Sequence, residues 1–319
     1  MDLNGMVFDN RSLPFSYTEF ILFGFPGISE SRHLLALPFL IIYVLILSGN
    51  ILLIYRIWVE PKLHSPMYIL IALLFSINII STTAIVPKAV LSVLLGMNYI
   101  TLDACLFQMF FIYTMVMFES DVLLLMALDR YVAICWPLRY HDIMTSRLLL
   151  LMSIVGFIEC SLLVSPIIIV ASQVYFCTSN LILDFTCENM VLLNLGCRDT
   201  ARIQIVGLLV RIVVTFIDIT LLLTSYGCIL RATMKVILGK ARQKTLHTCG
   251  THLSVVVLNY SCGLLSSIAY RMPISLDIQN LTSAIYYLFP ATVHPLIYGY
   301  RLKEIRTCLL KSWPFRAKP

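Results

Sequence analysis

Asp129 and Arg130 stand side by side, followed by Tyr131, near the end of the long apolar run that closes with Val132-Ala133-Ile134-Cys135. A carboxylate beside a guanidinium forms a charge-assisted contact, and near the edge of a hydrocarbon layer an unpaired Arg is costly. Such a pair can therefore act as a switch, released when another surface comes to meet the cation. The plainer alternative is an Arg that snorkels to the lipid headgroups and anchors its helix. Other polar groups sit inside apolar runs, among them Asn78, Glu119 and His294. An acid and an imidazole buried together would form an internal hydrogen bond or a proton-sensitive contact. His247, Cys249 and His252 carry metal-ligating atoms, but their spacing is no zinc pattern and no metal is expected. Neither a Gly-x-Ser-x-Gly nor a His-Glu-x-x-His motif is present, which argues against an intramembrane hydrolase.

The elements that must position these groups follow from composition. Apolar residues make up 59% of the chain and charged ones 13%, against about 25% charged in soluble domains. Charge-free runs extend from Leu34 to Tyr55, Ser65 to Pro87, Leu253 to Tyr270 and Ile278 to Tyr300. Three more carry isolated charges: Ala104 to Leu128 with Glu119 and Asp121, Leu148 to Ser172 with Glu159, and Ile203 to Leu230 with Arg211 and Asp218. Each is long enough to cross a bilayer core of about 30 Å, so the expected fold is an all-α bundle of seven transmembrane helices. Their expected bounds are about 34–57, 66–94, 104–135, 148–172, 203–238, 246–271 and 278–300, between an outer segment 1–33 and a cytoplasmic tail 301–319. A transporter would show inverted repeats and matching broken helices in its halves, and none is evident.

Basic residues cluster in alternate connections. Arg56 and Lys62 occupy the first, Arg139 and Arg147 the third, Arg231, Lys235, Lys240, Arg242 and Lys244 the fifth, and Arg301, Lys303, Arg306, Lys311, Arg316 and Lys318 the tail. The positive-inside rule then puts the amino terminus outside and the carboxyl terminus in the cytoplasm. The formal charge of +6 calls for anionic membrane lipid and a cytoplasmic partner rather than nucleic acid. Asn10-Arg11-Ser12 is a glycosylation sequon on the outer segment, whereas Asn280-Leu281-Thr282 lies too close to the last span. Of ten cysteines, Cys105, Cys177, Cys187 and Cys197 fall on the oxidising side. They allow three pairings, and each leaves one long loop tied across the mouth of the bundle.

Read together, these motifs resemble those of the odorant receptors, within the rhodopsin-like G-protein-coupled receptors. Met126 to Cys135 followed by Pro137-Leu138-Arg139-Tyr140 is similar to the family signature. So are Gly49-Asn50, Pro66-Met67-Tyr68, the run from Lys244 to Leu253, and Pro290 to Tyr298 with the Arg301-to-Arg306 segment. Phe25-Pro26-Gly27 and the Cys187-to-Cys197 spacing resemble the class I, fish-like, branch. The resemblance implies disulfides Cys105–Cys187 and Cys177–Cys197, a short amphipathic eighth helix in the tail, and no cofactor. It implies a stimulatory olfactory-type heterotrimeric G protein, docking against Arg130 and raising cyclic AMP. Asn78, Glu119 and His294 match a central ion and water site, but Asn78 stands where relatives have Asp and His294 where they have Asn, which leaves sodium open.

The ligand expected is a small odorant in the outer half of the bundle. A same-fold chemoreceptor for a metabolite outside the nose is the narrower rival. Met109, Tyr113, Val116 and Met117 fall at helical spacing below Cys105 and are expected to form one wall. Gly263, Ser267 and Arg271 share a face of the sixth span. Class I relatives often carry an Arg at the position of Arg271, which the resemblance links to acidic odorants, whereas Tyr113 replaces the His common in acid-binding relatives. Arg211 either supplies a second cation or pairs with Glu159 or Asp218. Tyr260 and Tyr298 are the expected relays between this pocket and the Asp129–Arg130 switch.

Overall fold

The computed structural model describes residues 16–197, 200–236, 239–302, 305 and 307. Asn10, Lys303, Arg306 and most of the expected eighth helix lie outside the described residues. Seven long helices form an antiparallel bundle: α1 (Ala36–Val59), α2 (Pro66–Leu95), α3 (Leu102–Cys135), α5 (Ser146–Ser172), α7 (Ala201–Val236), α8 (Gly239–Ala269) and α9 (Leu276–Arg301). Two short ones, α4 (Tyr140–Ile143) and α6 (Asn189–Leu193), lie in the connections. The ends of the long helices obey local chemistry. Thr101, Thr145 and Ser275 cap α3, α5 and α9 by accepting backbone N–H bonds from Ala104, Leu148 and Ile278. Pro66 opens α2, and Gly96 closes it at φ 65°, where a side chain would be strained.

Six of the long helices are apolar and long enough to cross a membrane. The exception is α9, which carries Asn280, Thr282, Ser283 and His294 and buries all four against its neighbours. Several hydroxyls inside the spans find acceptors on their own helix. Ser161, Ser165, Thr220, Thr224 and Ser254 each donate to the carbonyl four residues back, at 2.7 to 2.8 Å, because no water is available to satisfy them.

At one end of the bundle the chain folds back as a lid. Strand β1 (Glu19–Leu22) pairs antiparallel with β2 (Tyr99–Thr101) and parallel with β3 (Leu181–Ile182). This short sheet has no counterpart among the sequence expectations, since two or three residues per strand leave no period to read. At the opposite end, the fifth connection is far shorter than the basic run suggests. Lys235 belongs to the last turn of α7, and Lys240 and Arg242 to the first turns of α8. Ala, Lys, Arg and Gln continue a helix readily, and α8 opens at Gly239, with φ 61°.

The core divides along the bundle. Phe75, Val122, Met126, Ile229, Val255 and Tyr298 pack together toward the end bearing Asp129, all at most 1% exposed. Phe25, Phe39 and Phe185 cluster near the lid, Phe25 and Phe185 stacked with centroids 6.1 Å apart and Phe39 edge-on to Phe25.

Candidate functional site

Polar groups concentrate at three levels along the axis. At the base, opposite the lid, Asp129 is fully buried and its Oδ2 accepts from Arg130 Nε at 3.1 Å and Nη2 at 2.7 Å. Its other oxygen, Oδ1, accepts from Tyr140 Oη at 2.7 Å. A tyrosine from the connection after α3 thus completes the coordination of this carboxylate, a role that the motif Pro137-Leu138-Arg139-Tyr140 offered without disclosing. Across from Arg130, Tyr298 Oη lies 3.3 Å from His252 Nδ1 and its ring meets Phe75 edge-on at 5.8 Å. The hydroxyl of Tyr226 and Nε2 of His252 are buried without hydrogen-bond partners among the described residues. Both lie within the electrostatic reach of Arg130.

Midway along the axis, five side chains close a network. Asn50 Nδ2 donates to the Ala291 carbonyl at 3.0 Å, and its Oδ1 accepts from Asn78 Nδ2 at 2.9 Å. Asn78 Nδ2 also lies 3.3 Å from His294 Nδ1. His294 Nε2 is 3.0 Å from Asn259 Oδ1, and Asn259 Nδ2 donates to Glu119 Oε1 at 2.7 Å. An amide nitrogen can only donate, so His294 Nδ1 must accept and Nε2 must carry the proton. Glu119 and His294 come within 3.8 Å, with Asn259 bridging them. Asn259 is a member that sequence reading missed, and Asn50 entered it only through the Gly49-Asn50 motif and not as part of this site. The position of Asn259 on the sixth span, among apolar neighbours, was the available signal.

Near the lid, Cys105 pairs with Cys187 and Cys177 with Cys197, at Cα separations of 5.4 and 5.3 Å. The first joins the long loop to α3, and the second closes the loop on itself. Beneath the loop Tyr113 Oη donates to Glu188 Oε1 at 2.9 Å and accepts from Asn189 N–H at 3.1 Å. Arg211 reaches from α7 toward α8, with Nη2 3.5 Å from the Gly263 carbonyl and its guanidinium 6.0 Å from the Tyr286 ring centroid. Arg271 Nη1 donates to the Ser267 carbonyl at 2.7 Å, and Ser267 Oγ donates to the Gly263 carbonyl at 2.6 Å. Gly263 keeps this wall low, since a Cβ there would come 3.1 Å from Tyr286.

A family model described as olfactory receptor matches residues 39–314. The chain belongs to the olfactory receptor family. It is 35% identical over 298 residues to the human olfactory receptor 52N4, covering 92% of each chain. Human olfactory receptor 52B6 is 37% identical, over 89% of this chain and 85% of that one. Mouse olfactory receptor 51E2 is 33% identical, over 94% of each. Membership makes the chain a multi-pass membrane receptor of the seven-helix fold, not an enzyme.

In this receptor, the residues singled out from sequence do not all gather at one place. Tyr113, Gly263, Ser267, Arg271 and Arg211 converge beneath the lid, joined by Glu188 and Tyr286, which sequence reading did not include. Met109 is fully buried in the cluster that joins α3 to Phe20, Phe176 and the lid, so it packs the lid and leaves the wall to others. Val116 lies partly buried beside Ile112 and Leu288, and Met117 leans on the core at the base. Arg211 pairs with neither Glu159 nor Asp218; the closest partner of Asp218 is the Tyr260 hydroxyl at 3.4 Å. Helix rotation decides this: Arg211, itself exposed, reaches Gly263 on α8 and Tyr286 on α9, whereas Glu159 is exposed on α5. A separate cavity of about 270 Å³ lies between α2 and α3, lined by Ala84, Ile100, Ala104, Phe107, Gln108 and Phe111. It contains none of the residues beneath the lid.

Proposed function

We propose that this odorant receptor binds a small odorant beneath the lid and activates a stimulatory olfactory-type G protein, raising cyclic AMP. In this reading the lid and the amino terminus face outward at the plasma membrane, and Arg130 faces the cytoplasm. The basic residues beside Arg130 then meet anionic lipid and the partner protein. What carries the reading is the base: a fully buried Asp129 held by Arg130 at 2.7 Å, beside orphaned polar atoms on Tyr226 and His252. Unpartnered polar atoms of this kind fit an ion pair that marks one of two states rather than a fixed scaffold.

A ligand favours the second state only through a higher affinity for it. Contraction around an odorant held by Tyr113, Ser267 and Arg271 draws α8 inward near the lid. The same helix, carrying Tyr260 and contacting Tyr298 through His252, swings outward at the base and exposes a groove for the G protein. Arg271 supports an acidic odorant within this scheme, since a guanidinium grips a carboxylate through two parallel bonds. Asn78, Glu119 and His294 link the two ends as a central polar switch. The decisive experiment is Arg130→Ala in cells expressing the full chain with a cyclic AMP reporter. Odorant-driven cyclic AMP is expected to vanish while surface expression persists, and unchanged signalling overturns the assignment.

A further inference from the structure

The cavity of about 270 Å³ between α2 and α3 takes no part in the site beneath the lid, and its lining has a chemistry of its own. Ala84 and Ala104 are the small residues that leave it open, and Ile100 comes from strand β2 of the lid. Phe107 and Phe111 flank it as a stacked pair with ring centroids 6.2 Å apart. Phe107 is 67% exposed, so the cavity opens on the surface of the bundle. At 1.5 Å per residue Ala84 lies about 27 Å along α2 from Pro66, which puts the opening just inside the edge of a hydrocarbon core about 30 Å thick. Lys88, one turn further along α2, spends its ammonium on the carbonyls of Met97 and Tyr99, at 2.9 and 2.8 Å. No charge of the lining faces a guest, and Gln108 is its polar member. The Gln108 Nε2 donates to the Ala84 carbonyl at 3.1 Å, and its Oε1 accepts from the Cys187 N–H at 3.2 Å. An amide side chain has two N–H groups and two acceptor lone pairs, so among the described residues one of each remains. Volume sets the size of the guest. An apolar protein cavity of about 150 Å³ takes up benzene, and the larger space here takes one ring with a small substituent.

We infer that the groove between α2 and α3 is a second ligand site, entered sideways from the bilayer, for an uncharged monocyclic alcohol or phenol whose ring lies on Phe107 and Phe111 and whose hydroxyl bonds Gln108. Amphipathic rings collect at this depth of a membrane, with the ring in hydrocarbon and the hydroxyl at the headgroup level. A lipid tail, the other molecule at hand there, has no group for the Gln108 amide. The guest bears on the same amide that holds Cys187, the loop cysteine tied to Cys105, so its binding acts on an anchor of the lid.

Thymol and p-cymene are the probes, because they differ only by the hydroxyl. Their binding to the full-length receptor in lipid nanodiscs is measured by isothermal titration, with empty nanodiscs subtracted, so no G protein is involved. Thymol is expected to bind saturably and about fivefold more tightly than p-cymene, the worth of one neutral hydrogen bond. Ala104→Leu fills the groove from α3 and is expected to weaken thymol about tenfold, the cost of overpacking. Ala84→Leu does the same from α2, and surface expression of each variant shows that the fold survives. Equal binding of the two probes, or thymol binding unchanged in a groove variant that reaches the surface, overturns the inference. No saturable binding above empty nanodiscs means that the groove holds lipid tails only, and overturns it as well.

Discussion

The two ends of this receptor are held by different kinds of force. At the lid, two disulfides, a three-stranded sheet and a cluster of Phe25, Phe39 and Phe185 tie the amino-terminal segment, the long loop and α3 together. Asn280 adds to this by bonding the carbonyl of Leu183 at 3.0 Å and the N–H of Phe25 at 3.4 Å. At the base, one ion pair and one tyrosine hydroxyl hold Asp129, while buried donors on Tyr226 and Thr233 have no partners among the described residues. A covalent clamp cannot be released by a small ligand, whereas a set of bonds each worth about 1 kcal/mol can be exchanged. The comparison teaches where the molecule is built to stay and where it is built to move.

The contrast can be broken most severely at the clamp. Cys105→Ser removes the link between loop and α3, and a native disulfide of this kind contributes about 2 to 5 kcal/mol. The expected outcome is a large fall in surface expression and in the melting temperature of purified receptor, read by flow cytometry and by thermal shift. A mild effect would show that the strand pairing suffices on its own.

Tyr140→Phe probes the movable end with a smaller change. It deletes the hydroxyl that donates to Asp129 at 2.7 Å while keeping the ring. The lost bond is worth about 1 to 2 kcal/mol, so basal cyclic AMP is expected to rise severalfold without loss of expression. No rise would mean that Arg130 alone holds the resting state.

The finest test concerns Asp184, in the lid. Burial pushes its carboxyl up to about 7, against partial compensation by the bonds from Tyr270 and Thr186. The folded state therefore keeps a proton that the unfolded chain releases between about pH 4 and 7. Stability is present at the acid end of that window and is lost as pH rises toward 7, after which the curve flattens. Asp184→Asn is expected to flatten the whole profile, measured as melting temperature against pH in detergent. An unchanged slope would assign the pH dependence to another group.

Much of this was legible along the chain. Runs of apolar residues interrupted by Glu119, Glu159 or Arg211 still read as spans, because hydropathy sums locally and a single charge does not outweigh twenty apolar neighbours. The Asp129–Arg130 pair was visible for the same reason, its partners being adjacent residues. Asn259 was harder, since the bond it makes to Glu119 crosses 140 positions. The strand Glu19–Leu22 was invisible, because its pairing with Leu181–Ile182 is a matter of where the loop falls after the bundle has closed.

By itself, then, the amino-acid order determined how many helices cross the bilayer and which chemical groups lie at each depth. Depth along a helix follows from counting residues at 1.5 Å each. Only the tertiary structure decided which way each helix is turned. That rotation sends Arg211 to α8 and Tyr286 instead of to Glu159 or Asp218, and seals Met109 into the lid. It also sets Asn259 between Glu119 and His294. Rotation is fixed by packing against all neighbours at once, so no local pattern encodes it.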